Sequence, residues 1–273
     1  MRCSVNGTKA EFPEITDNQL TAKFSIGSDI HGVNYREAFF QKSWKEQKKD
    51  FAWILLNSTI PVFEAWLEDF RVIFPNINIK NIQKKDYVLS EVSNITSNES
   101  DVLKNSFYRT YSIKKHRCFQ KLKNLITCFR FFKEARNCYM HNGAIADQKL
   151  LSAYTDFQLV SAPIDLDMQE SPEHFAPTVG SKIDLSLRGV VGFSAIIIKI
   201  MVTIDAELLR SKNAESFFIA KWKEKHSSIR TLKSNPVQAD SQISRYTKQA
   251  GFPFPGVPAE LRAFLLKNGL VSM

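Results

Sequence analysis

Glycine and proline are both scarce, at 10 each in 273 residues. A turn-rich all-β fold uses more of both, so their shortage favours helices. Cysteine is scarce too: Cys3, Cys118, Cys128 and Cys138 are the full set. There is no CxxC and no Cys/His cluster of zinc type, so neither a metal site nor a cofactor is expected. The last three cysteines are ten residues apart, which turns a helix by about 280°. They therefore cannot share one face, and they read as small buried thiols in a reducing compartment. No long apolar run is present. The greasiest stretch, Val190 to Ile204, contains Lys199 and is short for a membrane span, so it suits a buried helix. Met1 to Glu14 is polar and shows no signal-peptide pattern. The expectation is a cytoplasmic protein with no membrane partner. Acidic residues are the scarcer charge, 28 against 37 Lys and Arg, leaving a net +9. That balance favours polyanionic partners such as nucleic acid.

Apolar residues are plentiful at 44%, with 21 Phe, so the chain can build a real core. Residues 1–35 read as an N-terminal extension, with short strands over Lys9 to Ile15 and Leu20 to Ile26. Residues 36–212 read as a helical domain. Within it, Tyr35 to Phe74 carries apolar residues at helical spacing. Pro61 lacks the N–H a helix ladder needs, so this run is one kinked helix or two in series. Asp86 to Ser106 reads as a helix interrupted around Asn94 to Ser100. Phe107 to Met140 reads as a long helix whose stripe includes Leu122, Leu125, Ile126, Phe129 and Phe132. Continued, that stripe lands on Arg136.

Ala144 to Tyr154 suits a short helix. Phe157 to Val160 and Lys182 to Leu187 alternate in strand fashion, which suggests a small β-hairpin insert. Leu187 to Leu209 is apolar nearly all round and should be covered on more than one side. Residues 213–273 read as a basic C-terminal extension. Phe217 to Lys225 and Ala259 to Asn268 look helical, while the Pro and Gly between Ser234 and Pro258 suggest an irregular arm.

The stretch Arg136-Asn137-Cys138-Tyr139-Met140-His141-Asn142-Gly143 gathers a fixed cation, an amide and a titratable base beside a helix stop. Asn137 and His141 are about 40° apart on a helix, so their side chains can meet. Arg136 and His141 are about 140° apart. They converge only if the helix loosens, ends near His141, or meets a second copy across a two-fold axis. Histidine exchanges protons near neutrality, and arginine matches a phosphate with a planar fork of donors. Together they suit cleavage of RNA by its own 2′-hydroxyl. On spacing alone, an Arg and a His beside a helix stop are more often structural. Lys123, Arg130 and Lys133 lie roughly on the side of Asn137. They read either as a basic track for RNA phosphates or as a solvated helix face. Glu134 is expected to pair with Arg130. Lys221, Lys223, Lys225, Arg230 and Lys233 form a second basic cluster with the same two readings.

Glu134 to Gly143 resembles the signature of the HEPN superfamily: an Arg, a polar residue that is often Asn, a few variable residues, then His, late in a helix of an all-α bundle. The resemblance covers roughly residues 36–212 and implies an antiparallel helical bundle. It implies a metal-independent endoribonuclease working as a homodimer, with a composite site where two motifs meet. His141 would transfer protons, Arg136 would stabilise the scissile phosphate, and Asn137 would orient the histidine or contact the phosphate. Products would carry 2′,3′-cyclic phosphate and 5′-hydroxyl ends. Members are often toxins or anti-phage effectors, which leaves room for an inhibitory or antitoxin partner. In one subgroup a Tyr two residues after the His accompanies a nucleotidyltransferase antitoxin. Gly143 stands there in this chain. The competing reading is a non-catalytic HEPN-like module that binds nucleic acid or a partner protein.

Overall fold

The computed structural model describes residues 11–16, 18, 19, 23, 43–75, 77–108 and 119–273. Its fold is mainly helical. The strands expected in residues 1–35 lie largely outside the described residues. Where residues 11–16 are described they make a turn, with the Ile15 amide donating to the Phe12 carbonyl at 3.1 Å.

Helix α1, Trp44–Ile73, starts at Ser43 with a reciprocal cap. The Glu46 amide donates to Ser43 Oγ at 3.2 Å, and the Ser43 amide donates to Glu46 Oε2 at 2.7 Å. The helix runs unbroken through Pro61. That proline faces solvent, and buried Ile60 and Phe63 pack into the core on either side of it. A single turn at Ile79–Ile82 leads to α2, Val88–Thr96. The expected interruption falls at Ser97 to Ser100, followed by a turn at Asp101–Leu103 and a π-helical turn at Lys104–Tyr108. Next come α3, Leu122–Asn142, α4, Gln148–Gln158, and α5, Leu187–Leu208.

Aromatic contacts set the helix directions. Phe63 meets Phe129 at 4.8 Å and Trp53 stacks on Tyr139 at 4.2 Å, so α3 runs against α1. Thr59 Oγ1 lies 3.2 Å from Ser194 Oγ, and Trp66 Nε1 donates to Asp205 Oδ1 at 3.2 Å, so α5 runs along α1. Phe193 of α5 stacks on Phe132 at 4.6 Å. Helix α4 folds back on α3 through Phe131 and Phe157, stacked at 5.0 Å. By length and composition α5 could cross a membrane. Here it is the central helix of the first core, and Lys199 reaches Asp167 Oδ2 at 2.6 Å.

The β-hairpin insert is not found among the described residues. Phe157 belongs to α4, because Leu150, Ala153 and Phe157 form one buried face and Asp147 Oδ1 caps the start by accepting from the Leu150 amide at 2.9 Å. One isolated bridge, Ile145 to Lys182, stands in its place. The extended segment before α5 packs flat on that helix. A Cβ on Gly189 would overlap the Glu173 carbonyl oxygen, and one on Gly192 would lie 3.0 Å from Pro172 Cα.

The irregular arm of the C-terminal extension is also corrected. After α6, Lys212–Lys225, residues Pro236–Gln249 form helix α7, capped by Asn235 with Pro236 in its first turn. In the first helical turn a proline fits, because its missing N–H is not needed there. Helix α8 is Pro258–Lys267. Strands β1, Arg230–Thr231, and β2, Val271–Ser272, pair in parallel. These elements enclose a second core that also takes in Leu103 and Phe107.

A polar junction joins the two cores. Arg210 reaches Glu99 Oε1 at 2.9 Å and Glu207 Oε2 at 3.1 Å. Glu99 also pairs with Lys104, and Tyr108 donates to Glu207 Oε1 at 2.9 Å. The Lys104 hydrogen bond and the nearby Arg210 charge hold the Glu99 carboxyl below its ordinary 4.5. Stability from Glu99 is therefore complete above pH 4.5 and is lost as pH falls below it. Glu99→Gln should cost about 1 kcal/mol at neutral pH, with the gap to wild type closing in acid, measured by urea unfolding at several pH values. Gly189→Ala should cost about 2 kcal/mol or more, because backbone must move to admit the methyl; thermal melting tests it.

Candidate functional site

The motif occupies the last two turns of α3. The helix does not loosen before His141; it continues to Asn142. Gly143 then takes the left-handed conformation at φ 61°, and Ala144 follows at φ 63°. The amides of both residues turn back to the Cys138 carbonyl. The exit is then tied down: the Ile183 amide donates to the Ala144 carbonyl at 2.9 Å, and the Ala146 amide to the Ser181 carbonyl at 2.9 Å. With the helix regular to its end, the offset of about 140° between Arg136 and His141 stands.

Packing decides which side faces out. Phe129, Phe132, Ala135 and Cys138 are buried. Burial pushes the thiols of Cys128 and Cys138 up, so neither is primed as a nucleophile. Arg136 sits on the inward side, half-buried, and its Nε is buried without a hydrogen-bond partner among the described residues. The antiparallel register set by Phe63–Phe129 and Trp53–Tyr139 puts Asn57 of α1 level with it. Asn57 Oδ1 is also buried and unpartnered. A donor and an acceptor are thus left unmatched at one height of the bundle.

The outward side carries Arg130, Glu134, Asn137 and His141, at helical steps of four, three and four. His141 is exposed and makes no hydrogen bond or ion pair among the described residues. The Asn137 side chain turns the other way, donating from Nδ2 to Glu134 Oε2 at 3.3 Å. The expected Arg130–Glu134 pair is therefore not formed. Arg130 makes no ion pair among the described residues. Among the described residues, no hydrogen bond or ion pair within one chain brings Arg136, Asn137 and His141 together.

Of the expected basic track, Arg130 and Lys133 line a groove and Lys123 does not. That groove, of about 410 Å³, is lined by Lys80, Lys84, Lys85, Arg130, Lys133 and Glu134, with others. Lys133 donates to Gln83 Oε1 at 2.9 Å, and Lys85 pairs with Asp156 at 2.6 Å. Lys123 is held at 3.5 Å from Asp86. Among the described residues, the groove cations without an ion pair are Arg130, Lys80 and Lys84, the last lying 5.6 Å from the Tyr87 ring centre. Residues 75–85 carry no helical periodicity in the sequence. The Lys80, Lys84 and Lys85 spacing was the available signal.

A larger cleft, about 750 Å³, opens between the starts of α1 and α5. Lys45, Lys48, Lys49, His174 and Arg188 line it. Lys49 is paired with Asp184 at 2.7 Å and Arg188 with Glu170 at 2.6 Å. His174 has a packing role, with its edge on Phe157 at 4.9 Å and Nδ1 3.1 Å from the Pro172 carbonyl oxygen. Among the described residues no group of His, Cys, Asp and Glu is placed to hold a metal ion. Neither a family model, nor a curated protein, nor a solved structure matches the chain.

Arg136 offers a direct test. A buried arginine that served packing through its hydrogen bonds would lose stability when replaced. This one has an unsatisfied Nε, so removing it removes a desolvation cost. Arg136→Met should melt at the wild-type temperature or slightly above, measured by calorimetry.

Proposed function

We propose that the chain is a HEPN-type endoribonuclease cleaving RNA by attack of the 2′-hydroxyl, with His141 in proton transfer and Arg136 on the phosphate. The observation that carries the reading is the pairing of an exposed, unengaged His141 with a basic groove on the same outward side of α3. The groove offers phosphate contacts at Arg130, Lys80 and Lys84, and Arg136 Nε is a buried donor without a partner among the described residues. A HEPN-like bundle for α1 to α5 and a toxin or anti-phage role rest on the motif resemblance alone, and a cytoplasmic location rests on the scarce cysteines and the short apolar run.

On this reading, the separation of Arg136 from His141 within one chain calls for a shared site. Each copy would supply one member of every Arg–His pair across a two-fold interface. The same separation favours the second reading, a non-catalytic module that binds RNA without cutting it.

Both are tested by incubating purified protein with total RNA in EDTA and analysing the fragment ends. The nuclease reading expects 2′,3′-cyclic phosphate ends, with His141→Ala and Arg136→Ala each lowering the rate at least about a hundredfold. Wild-type cleavage by His141→Ala would end the assignment. Binding without cleavage would support the module. Mixing the two inactive variants should restore about a quarter of the activity if the site is composite, because mixed dimers then hold one intact site.

A further inference from the structure

Residues 212–273 carry ten Lys and Arg against four Asp and Glu. All four acids are already engaged. Glu215 pairs with Lys212 at 3.0 Å, Glu224 with Lys221 at 2.7 Å and Asp240 with Arg262 at 2.9 Å. Glu260 accepts from Asn105 at 2.9 Å. The other seven cations make no ion pair among the described residues.

Part of this charge is organised on aromatic rings. The Arg245 guanidinium lies 5.2 Å from the centre of the Tyr246 ring, and that of Arg230 lies 5.8 Å from the same ring. Lys248 lies 5.2 Å from the ring of Phe254, which is 56% exposed. These residues come from different elements, and buried contacts hold them together. His226 is buried, with Nε2 3.1 Å from the Tyr246 carbonyl oxygen, which pins the start of the loop bearing Arg230 to α7. The Lys233 amide donates to Gln242 Oε1 at 2.8 Å and pins its end.

We propose that Arg230, Arg245, Tyr246, Lys248 and Phe254 form a binding face for single-stranded nucleic acid. Guanidinium plates and aromatic rings stack on bases of any sequence, and unneutralised cations hold the phosphates. An anionic membrane is the lesser fit. Helix α7 turns Ser241, Arg245, Lys248 and Gln249 outward and exposes a single large apolar side chain, Val237, whereas a membrane-surface helix exposes an apolar face. The face is separate from the motif. The exit of α3 is bonded close to the start of α5, while this unit follows the end of α5. A helix of that length spans about 33 Å.

The test uses the full chain and a fluorescein-labelled 20-nucleotide DNA strand, read by fluorescence anisotropy across a salt series. DNA lacks the 2′-hydroxyl, so the outcome is independent of the nuclease reading. Arg245→Ala with Lys248→Ala should weaken binding about tenfold and reduce the salt slope by about 1.4. Arg245→Lys should keep the slope but bind several-fold more weakly, because the stacking plate is lost. Unchanged melting temperatures would show that these exposed substitutions leave the fold intact. Wild-type affinity in the double variant would overturn the proposal. So would wild-type affinity in Arg245→Lys, equal binding of the duplex, or binding to phosphatidylserine vesicles but not to the strand.

Discussion

The aromatic seam between α1, α3 and α5 fixes the rotation of α3, and the chemistry of its exposed side depends on that rotation. Phe193 stacks on Phe132 and lies 6.2 Å from Phe129, which in turn meets Phe63. Rings of this size cannot be exchanged for polar surface without losing about 2–3 kcal/mol each. Once Phe129 and Phe132 point inward, Arg136 must follow them, because it continues the same stripe. Asn137 and His141 are then turned to solvent. The burial pattern of the helix, rather than any local contact, separates the cation from the base.

The bundle and the C-terminal unit handle charge differently. On α3 and its neighbours, several cations are tied to specific acceptors, as with Lys123, Lys133 and Lys85. In the C-terminal unit most remain unneutralised, and three of them lie over rings. A cation on a ring keeps its charge available while its plate or head stays oriented. The net charge of the chain is therefore distributed unevenly in kind as well as in place.

The long helices were legible in the sequence because their apolar stripes are regular. Phe129, Phe132 and the run at 187–208 marked their own faces, and Gly143 marked its own stop. The misread elements depended on context. Phe157 to Val160 alternates over too few residues to tell strand from helix; the Asp147 cap and the Phe131 ring decide it. Pro236 signals a break on its own, and only with Asn235 as its cap does it mark a helix start. At the site, the motif residues could be named from sequence, but their partners could not. Asn137 turns to Glu134 instead of His141, and Lys80 and Lys84 enter the groove from a connection with no periodicity of its own.

The second core is assembled from distant parts of the chain. Leu103 and Phe107 pack among residues from Ala214 to Val271. During synthesis these two side chains emerge long before the partners that cover them. Contacts of such sequence separation form late, because a long loop must close first. Until residues 214 to 271 have been made, Leu103 and Phe107 lack the partners that bury them, so the second core cannot close before Val271 is in place.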